Sequence, residues 1–374
     1  MAYRHPHPPR KLTPHIALWM LRLLTSPAVL HRFVRREDFA RDDMAFAVGL
    51  DHWVDPEDRP FTPQAVRAEL YQRLARAQRA CAKEPLPAVL QRNTQRLANL
   101  VGLNAVEASI VAFTVCLHTD PLLDDTADLL DSLTSTEVTQ TLALLIEAPD
   151  AQVRQALSSQ GLLARSGLVV IDRSGPSRLK SKLELLSHTF ADCMGSNDAD
   201  PLELLRGKIQ PAAPGHLCLA DYSHVQPTLD IVQPWLRHAQ STQRRGVNLF
   251  VHGVPGTGKT ELVRALAKDM GCELFEVASE NEDGDPISSA SRLRAFRAAQ
   301  SFLAQRKALL LFDEVEDIFS ASPMDLSAAQ SHKGWLNRML EDNPVPTLWL
   351  SNAVNGVDAA FVRRFDMVFE LPVP

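Results

Sequence analysis

Residues 253–260 read GVPGTGKT, a GxxxxGK[ST] spacing that packs glycines, one lysine and one hydroxyl into a single short stretch. A turn built from Gly253, Val254, Pro255, Gly256, Thr257 and Gly258 can point successive backbone N–H groups into one concavity. There a polyphosphate supplies the partners missing at the start of the next helix. Lys259 adds a flexible point charge suited to β and γ phosphates, the Thr260 hydroxyl suits a magnesium ion, and Glu261 continues the binding segment into the helix.

A second cluster should be acidic and should end a buried strand, and KALLLFDEVEDIF at 307–319 has that form. Leu309 to Phe312 make a continuous apolar run, as in parallel strands covered on both faces, and Asp313 comes next at the carboxyl end, where open α/β sheets bind their ligands. Asp313 is expected to hold magnesium and Glu314 to polarise the attacking water. Glu316 and Asp317 form a competing pair, read as the start of the next loop or helix. A further apolar strand, Thr347 to Leu350, precedes Ser351 and Asn352, whose neutral amide can bridge a γ phosphate and the attacking water.

Positioning these groups requires a sheet. Val247–Val251, Glu273–Val277, Leu309–Asp313, Thr347–Leu350 and Met367–Leu371 alternate with helical stretches, so an α/β fold with a five-stranded, doubly wound parallel sheet flanked by helices is expected. Leu262, Ala265 and Leu266 mark the buried face of the helix after the glycine loop.

Over Leu217 to Pro374 the sequence resembles the AAA+ ATPases, and more closely the AAA branch, through GVPGTGKT, LLLFDE, the Asn of LSN and DAAFVRRFD. The resemblance implies ATP and Mg2+ as ligands, ATP hydrolysis coupled to remodelling of a protein partner, and a homo-oligomeric, hexameric ring. It implies that Arg363 or Arg364 reaches the γ phosphate held by a neighbouring subunit, and that residues 221–224 lie over the adenine. Two departures accompany it. Where threading members carry an apolar pore grip, this chain has an acidic, serine-rich loop with Glu280, Glu282, Asp283 and Asp285. The family's helical lid, expected after the fifth strand, has no counterpart before the chain stops at ELPVP, so a truncated form, or a lid supplied in another way, is the expectation.

The whole chain has 374 residues, a formal charge of -6, 45% hydrophobic and 22% charged residues, a balance that excludes disordered or fibrous classes and coating of nucleic acid by bulk charge. Five scattered cysteines without a CxxC spacing indicate neither a disulfide framework nor a structural zinc site, so a reducing cytoplasm is expected. No apolar run is long enough to span a bilayer. Residues 1–60 are read as a basic tail opening with HPHPPR, continuing into an amphipathic helix at 16–24. Residues 61–191 are read as a mostly helical, winged-helix-like domain, 192–216 as a linker, and 217–374 as the nucleotide-binding core.

In the N-terminal region Asn104 is expected to cap a strongly apolar helix. The winged-helix-like pattern at 151–172 would put Gln152, Arg154, Gln155, Ser158 and Ser159 near a recognition helix, with Arg165 and Arg173 beside the wing. Such modules dock proteins or contact DNA, and the few cations here favour a protein partner. Two alternatives to a remodelling ATPase remain: a non-hydrolysing nucleotide switch, and a DNA-associated ATPase.

Overall fold

The computed structural model describes residues 12–54, 60–82, 86–196, 198, 200–280, 284–319, 333–353, 357 and 359–374. The HPHPPR opening, Glu282 and Asp283 lie outside them. The chain divides into two compact units, Met1–Leu204 and Leu205–Pro374.

The first unit is mostly helical. Its helix Pro14–Thr25, expected to be amphipathic, is buried nearly all round, from Leu18 to Thr25. Even Arg22 is buried there, donating to the Leu145 carbonyl and pairing with Glu147 at 2.6 Å. This helix packs on Pro63–Cys81, so the region read as a separate N-terminal segment shares a core with the helical domain. The helix Ala105–Thr119 starts at Asn104 through a reciprocal cap: Asn104 Oδ1 accepts from Val106 and Glu107 N–H, and Glu107 Oε2 accepts from Asn104 N–H at 2.9 Å. Among the described residues no single helix is long and apolar enough to cross a membrane.

The winged-helix-like pattern resolves into short pieces. Helices Asp150–Ala156 and Leu162–Arg165 precede an antiparallel pair, β1 (Val169–Ile171) and β2 (Leu183–Leu185). Of the arginines that would serve DNA, Arg154 is paired with Asp150 and Arg173 donates to the Leu157 carbonyl at 3.2 Å. The arrangement adds no support to a DNA-contacting surface.

The second unit carries a six-stranded sheet. Its strands are β3 (Ile209–Pro211), β4 (Asn248–His252), β5 (Glu273–Val277), β6 (Ala308–Phe312), β7 (Thr347–Ser351) and β8 (Met367–Glu370), in the order β3-β5-β6-β7-β4-β8. Five are parallel, as expected. The sixth, β3, is antiparallel to β5 and comes from the segment read as a linker. Its Pro211 is tolerated because β3 is an edge strand.

Alternation along the strands separates two apolar layers. Leu249, Val251, Leu309, Leu311, Leu348 and Leu350 pack with helices Gln226–Ser241 and Lys259–Met270. Phe250, Phe312 and Trp349 lie on the opposite pleat, where Trp349 stacks on Phe312 with centroids 4.9 Å apart and meets Phe296 of helix Ser289–Phe302. The buried Asn248 accepts from Trp349 Nε1 at 3.0 Å and donates to the Leu340 carbonyl at 2.7 Å, so this polar side chain in the core is hydrogen-bonded.

Candidate functional site

β4 ends at His252, and the chain turns through Gly253–Gly258 into helix Lys259–Met270, the strand–loop–helix context that the glycine spacing requires. Gly258 is the residue before the helix and has φ 84°, a left-handed conformation that a Cβ disfavours. At Gly253 the constraint is proximity: a Cβ there would lie 2.4 Å from the Leu371 carbonyl oxygen. First-turn N–H groups of a helix have no partner within it, so the start at Lys259 offers donors at the loop.

Lys259 is 8% exposed, and its Nζ donates to Gly253 O at 2.7 Å, Val254 O at 3.2 Å and Asn352 Oδ1 at 3.1 Å. Thr260 Oγ1 donates to Asp313 Oδ2 at 2.9 Å. Asp313 stands one residue beyond β6, Asn352 one beyond β7, and both strands neighbour each other with β7 also pairing β4. Three adjacent strand ends thus bring Lys259, Thr260, Asp313 and Asn352 together. A hydroxyl and a carboxylate in contact are hard oxygen donors, a set that fits magnesium rather than zinc or copper.

Glu314 is exposed and comes directly after Asp313 with φ 52°, a left-handed conformation that costs a non-glycine residue about 1–2 kcal/mol. Its N–H donates to Asp313 Oδ1 at 2.8 Å. Glu316 opens helix Glu316–Phe319, as expected, yet it also serves the site: its Oε1 accepts from Ser351 Oγ at 3.0 Å and from the Asn352 N–H. That carboxylate fixes the turn carrying Asn352. Arg292, which sequence reasoning passed over, donates to the carbonyls of Asp313 and Glu314.

Upstream, Leu219–Val225 forms a 3-10 turn in which Tyr222 is buried and its hydroxyl donates to Gly258 O at 2.9 Å. Burial pushes that hydroxyl up to about 12. Glu261 Oε2 accepts from the N–H groups of His216 and Leu217, at 2.7 and 3.2 Å, and Glu261 also holds Arg264. The His216 N–H is the first cause that keeps the Glu261 carboxyl below its usual range, with Arg264 adding to it. The segment expected over the adenine is thereby docked on the loop and its helix.

The paired arginines differ. Arg364 forms an ion pair with Glu341, whereas Arg363 is exposed and its side chain makes no hydrogen bond or ion pair among the described residues. Of the acidic loop, Glu280 and Asp285 are exposed, and Glu280 bridges to Pro286.

Residues 249–373 match the AAA family, the ATPases associated with various cellular activities. The chain is similar to CD-NTase-associated protein 6 of Pseudomonas aeruginosa, 33% identical over 34% of this chain and 49% of that protein. It is similar to a pachytene checkpoint protein 2 homolog of Arabidopsis thaliana, at 30% identity over 36% of each chain. The ATP-dependent zinc metalloprotease FtsH of the Aster yellows witches'-broom phytoplasma is 22% identical over 55% of this chain and 29% of its own. The matches span about half or less of these relatives' lengths. Such relatives support ATP binding and ATPase activity in general. Residues 249–373 of this chain are an AAA ATPase domain.

Proposed function

We propose that the chain binds ATP with magnesium, hydrolyses it, and couples turnover to rearrangement of a protein partner. The observation that carries this reading is the convergence of four groups from separate segments, with Thr260 Oγ1 at 2.9 Å from Asp313 and Lys259 Nζ at 3.1 Å from Asn352. Only a ligand with several anionic oxygens calls for a lysine, a helix N-terminus and a hydroxyl–carboxylate pair at one loop.

In this reading the backbone from Gly253 to Glu261 binds the phosphates and Lys259 orients the β and γ groups. Thr260 and Asp313 would hold Mg2+, which when bound neutralises phosphate charge. Glu314 accepts the proton of the attacking water, and Asn352, steadied by Glu316, orients that water against the γ phosphate. Arg363 serves a neighbouring subunit's nucleotide in a ring, because Arg364 is already engaged with Glu341. The helical first unit docks the partner. A reducing cytoplasm suits the five unbridged cysteines.

The test uses the full chain. ATP affinity and magnesium-dependent phosphate release are measured for the chain and for Glu314→Gln. The variant should keep nucleotide affinity and lose phosphate release. Equal, negligible release from both would replace hydrolysis with a nucleotide-operated switch.

A further inference from the structure

Arg292 lies on helix Ser289–Phe302, is 3% exposed, and holds its guanidinium 4.5 Å from the centre of the Phe312 ring. Its Nη1 donates to Glu314 O at 3.0 Å, and its Nη2 donates to Asp313 O. These two carbonyls belong to the peptide planes on either side of the Glu314 Cα. Fixing both planes fixes the two torsions between them, and one of those is the left-handed φ of 52°. The guanidinium is planar and presents its donors in a rigid fork, so it can impose a relation between two acceptors that a flexible ammonium cannot.

We propose that Arg292 is a positioning residue for ATP hydrolysis: it clamps the Asp313 and Glu314 carbonyls and thereby sets where the Glu314 carboxylate stands relative to Lys259 and Asn352. The inference rests on the hydrolytic reading above. A buried arginine over an aromatic ring is an expensive way to hold a turn that a glycine could adopt unaided, and glycine offers no carboxylate. The fork allows a side chain that can take a proton to occupy a conformation favouring the one residue without such a chain. Phe312 restrains the guanidinium from below, and the Val315 N–H, donating to Leu350 O at 3.1 Å, anchors the far end of the turn to β7.

The experiment compares Arg292→Met, Arg292→Lys and the unaltered full chain in steady-state ATP hydrolysis, ATP binding and thermal melting, and then repeats Arg292→Met in a Glu314→Gln background. Displacing the base should lower kcat about tenfold or more in Arg292→Met, while KM and ATP affinity change by less than about threefold. Arg292→Lys should fall between the two. If Arg292 acts through Glu314, Arg292→Met should slow the residual single-turnover rate of Glu314→Gln no further. A wild-type kcat in Arg292→Lys or in folded Arg292→Met overturns the inference, and so does an undiminished effect in the Glu314→Gln background. Should Arg292→Met not fold, Arg292→Lys alone decides it. No turnover by the unaltered chain overturns the hydrolytic reading, and this inference with it.

Discussion

Replacing Gly258 by alanine adds a single carbon at a point of the phosphate loop that combines a left-handed backbone with a close neighbour. With φ at 84°, the new Cβ meets its own backbone, at a cost of about 1–2 kcal/mol for the left-handed conformation. It also lies 3.1 Å from Tyr222 Oη, closer than ordinary contact. Tyr222 is 2% exposed and its hydroxyl is bonded to the Gly258 carbonyl at 2.9 Å, so relief requires breaking a hydrogen bond worth about 1 kcal/mol. The sum, about 2–3 kcal/mol, corresponds to a loss of roughly 30- to 150-fold in affinity if the loop must reach this conformation to bind.

Gly256→Ala is the internal control. Its φ is 86°, but nothing lies within 4 Å of the added carbon, so only the backbone cost applies. A titration with a fluorescent ATP analogue should rank affinity as unaltered chain, then Gly256→Ala, then Gly258→Ala. The double variant Gly258→Ala, Tyr222→Phe removes the hydroxyl that makes both the close contact and the hydrogen bond, so it should bind no more weakly than Gly258→Ala alone. Unchanged affinity in Gly258→Ala, or a further additive loss in the double variant, would refute the argument.

Arg363→Ala should abolish turnover in the assembled protein and spare ATP binding. Arg364→Ala loses only an exposed ion pair worth about 0–1 kcal/mol and should keep most activity; the reverse ranking in a phosphate-release assay would reject the assignment. The lowered Glu261 carboxyl binds fewer protons folded than unfolded, so its contribution is present above about pH 4.5 and is lost as acid protonates the folded form. The stability difference between the chain and Glu261→Gln should therefore shrink below pH 4.5 in denaturant titrations, and a constant difference would contradict the assigned contacts. Thr260→Val removes the hydroxyl on Asp313 and should weaken the magnesium dependence of nucleotide binding more than the binding itself.

The phosphate loop and the Leu-rich strand were legible because their chemistry is local: glycine spacing dictates backbone shape, and an apolar run ending in acid dictates a buried strand. β3 was not legible, since three residues that include a proline carry no alternation and pair only because β5 offers a free edge. Arg292 was not legible either. A charged residue in a helical pattern reads as solvent-facing, and its burial depends on carbonyls presented by a distant strand end. Glu316 reads correctly as part of a helix, but its grip on the Asn352 turn arises only when β6 and β7 lie side by side. In the first unit the cap at Asn104 is local and was readable. The burial of Pro14–Thr25 was not, because Arg22 finds its partners more than a hundred residues later.

β8 is four residues long, about 13 Å at the usual rise per residue. Asp366, just before it, is bracketed to the first residue of β4: its N–H donates to Asn248 O at 2.8 Å and its carboxylate accepts from Asn248 N–H at 2.9 Å. At the other end Leu371 N–H donates to His252 O at 2.7 Å, and the Leu371 carbonyl abuts Gly253. The arginine-bearing turn and the phosphate loop therefore sit at opposite ends of one short strut. In the ring proposed above, this strand would be the shortest route from a subunit's own phosphate loop to the arginine turn facing the next site, a mechanical gear built from the sheet's outermost strand.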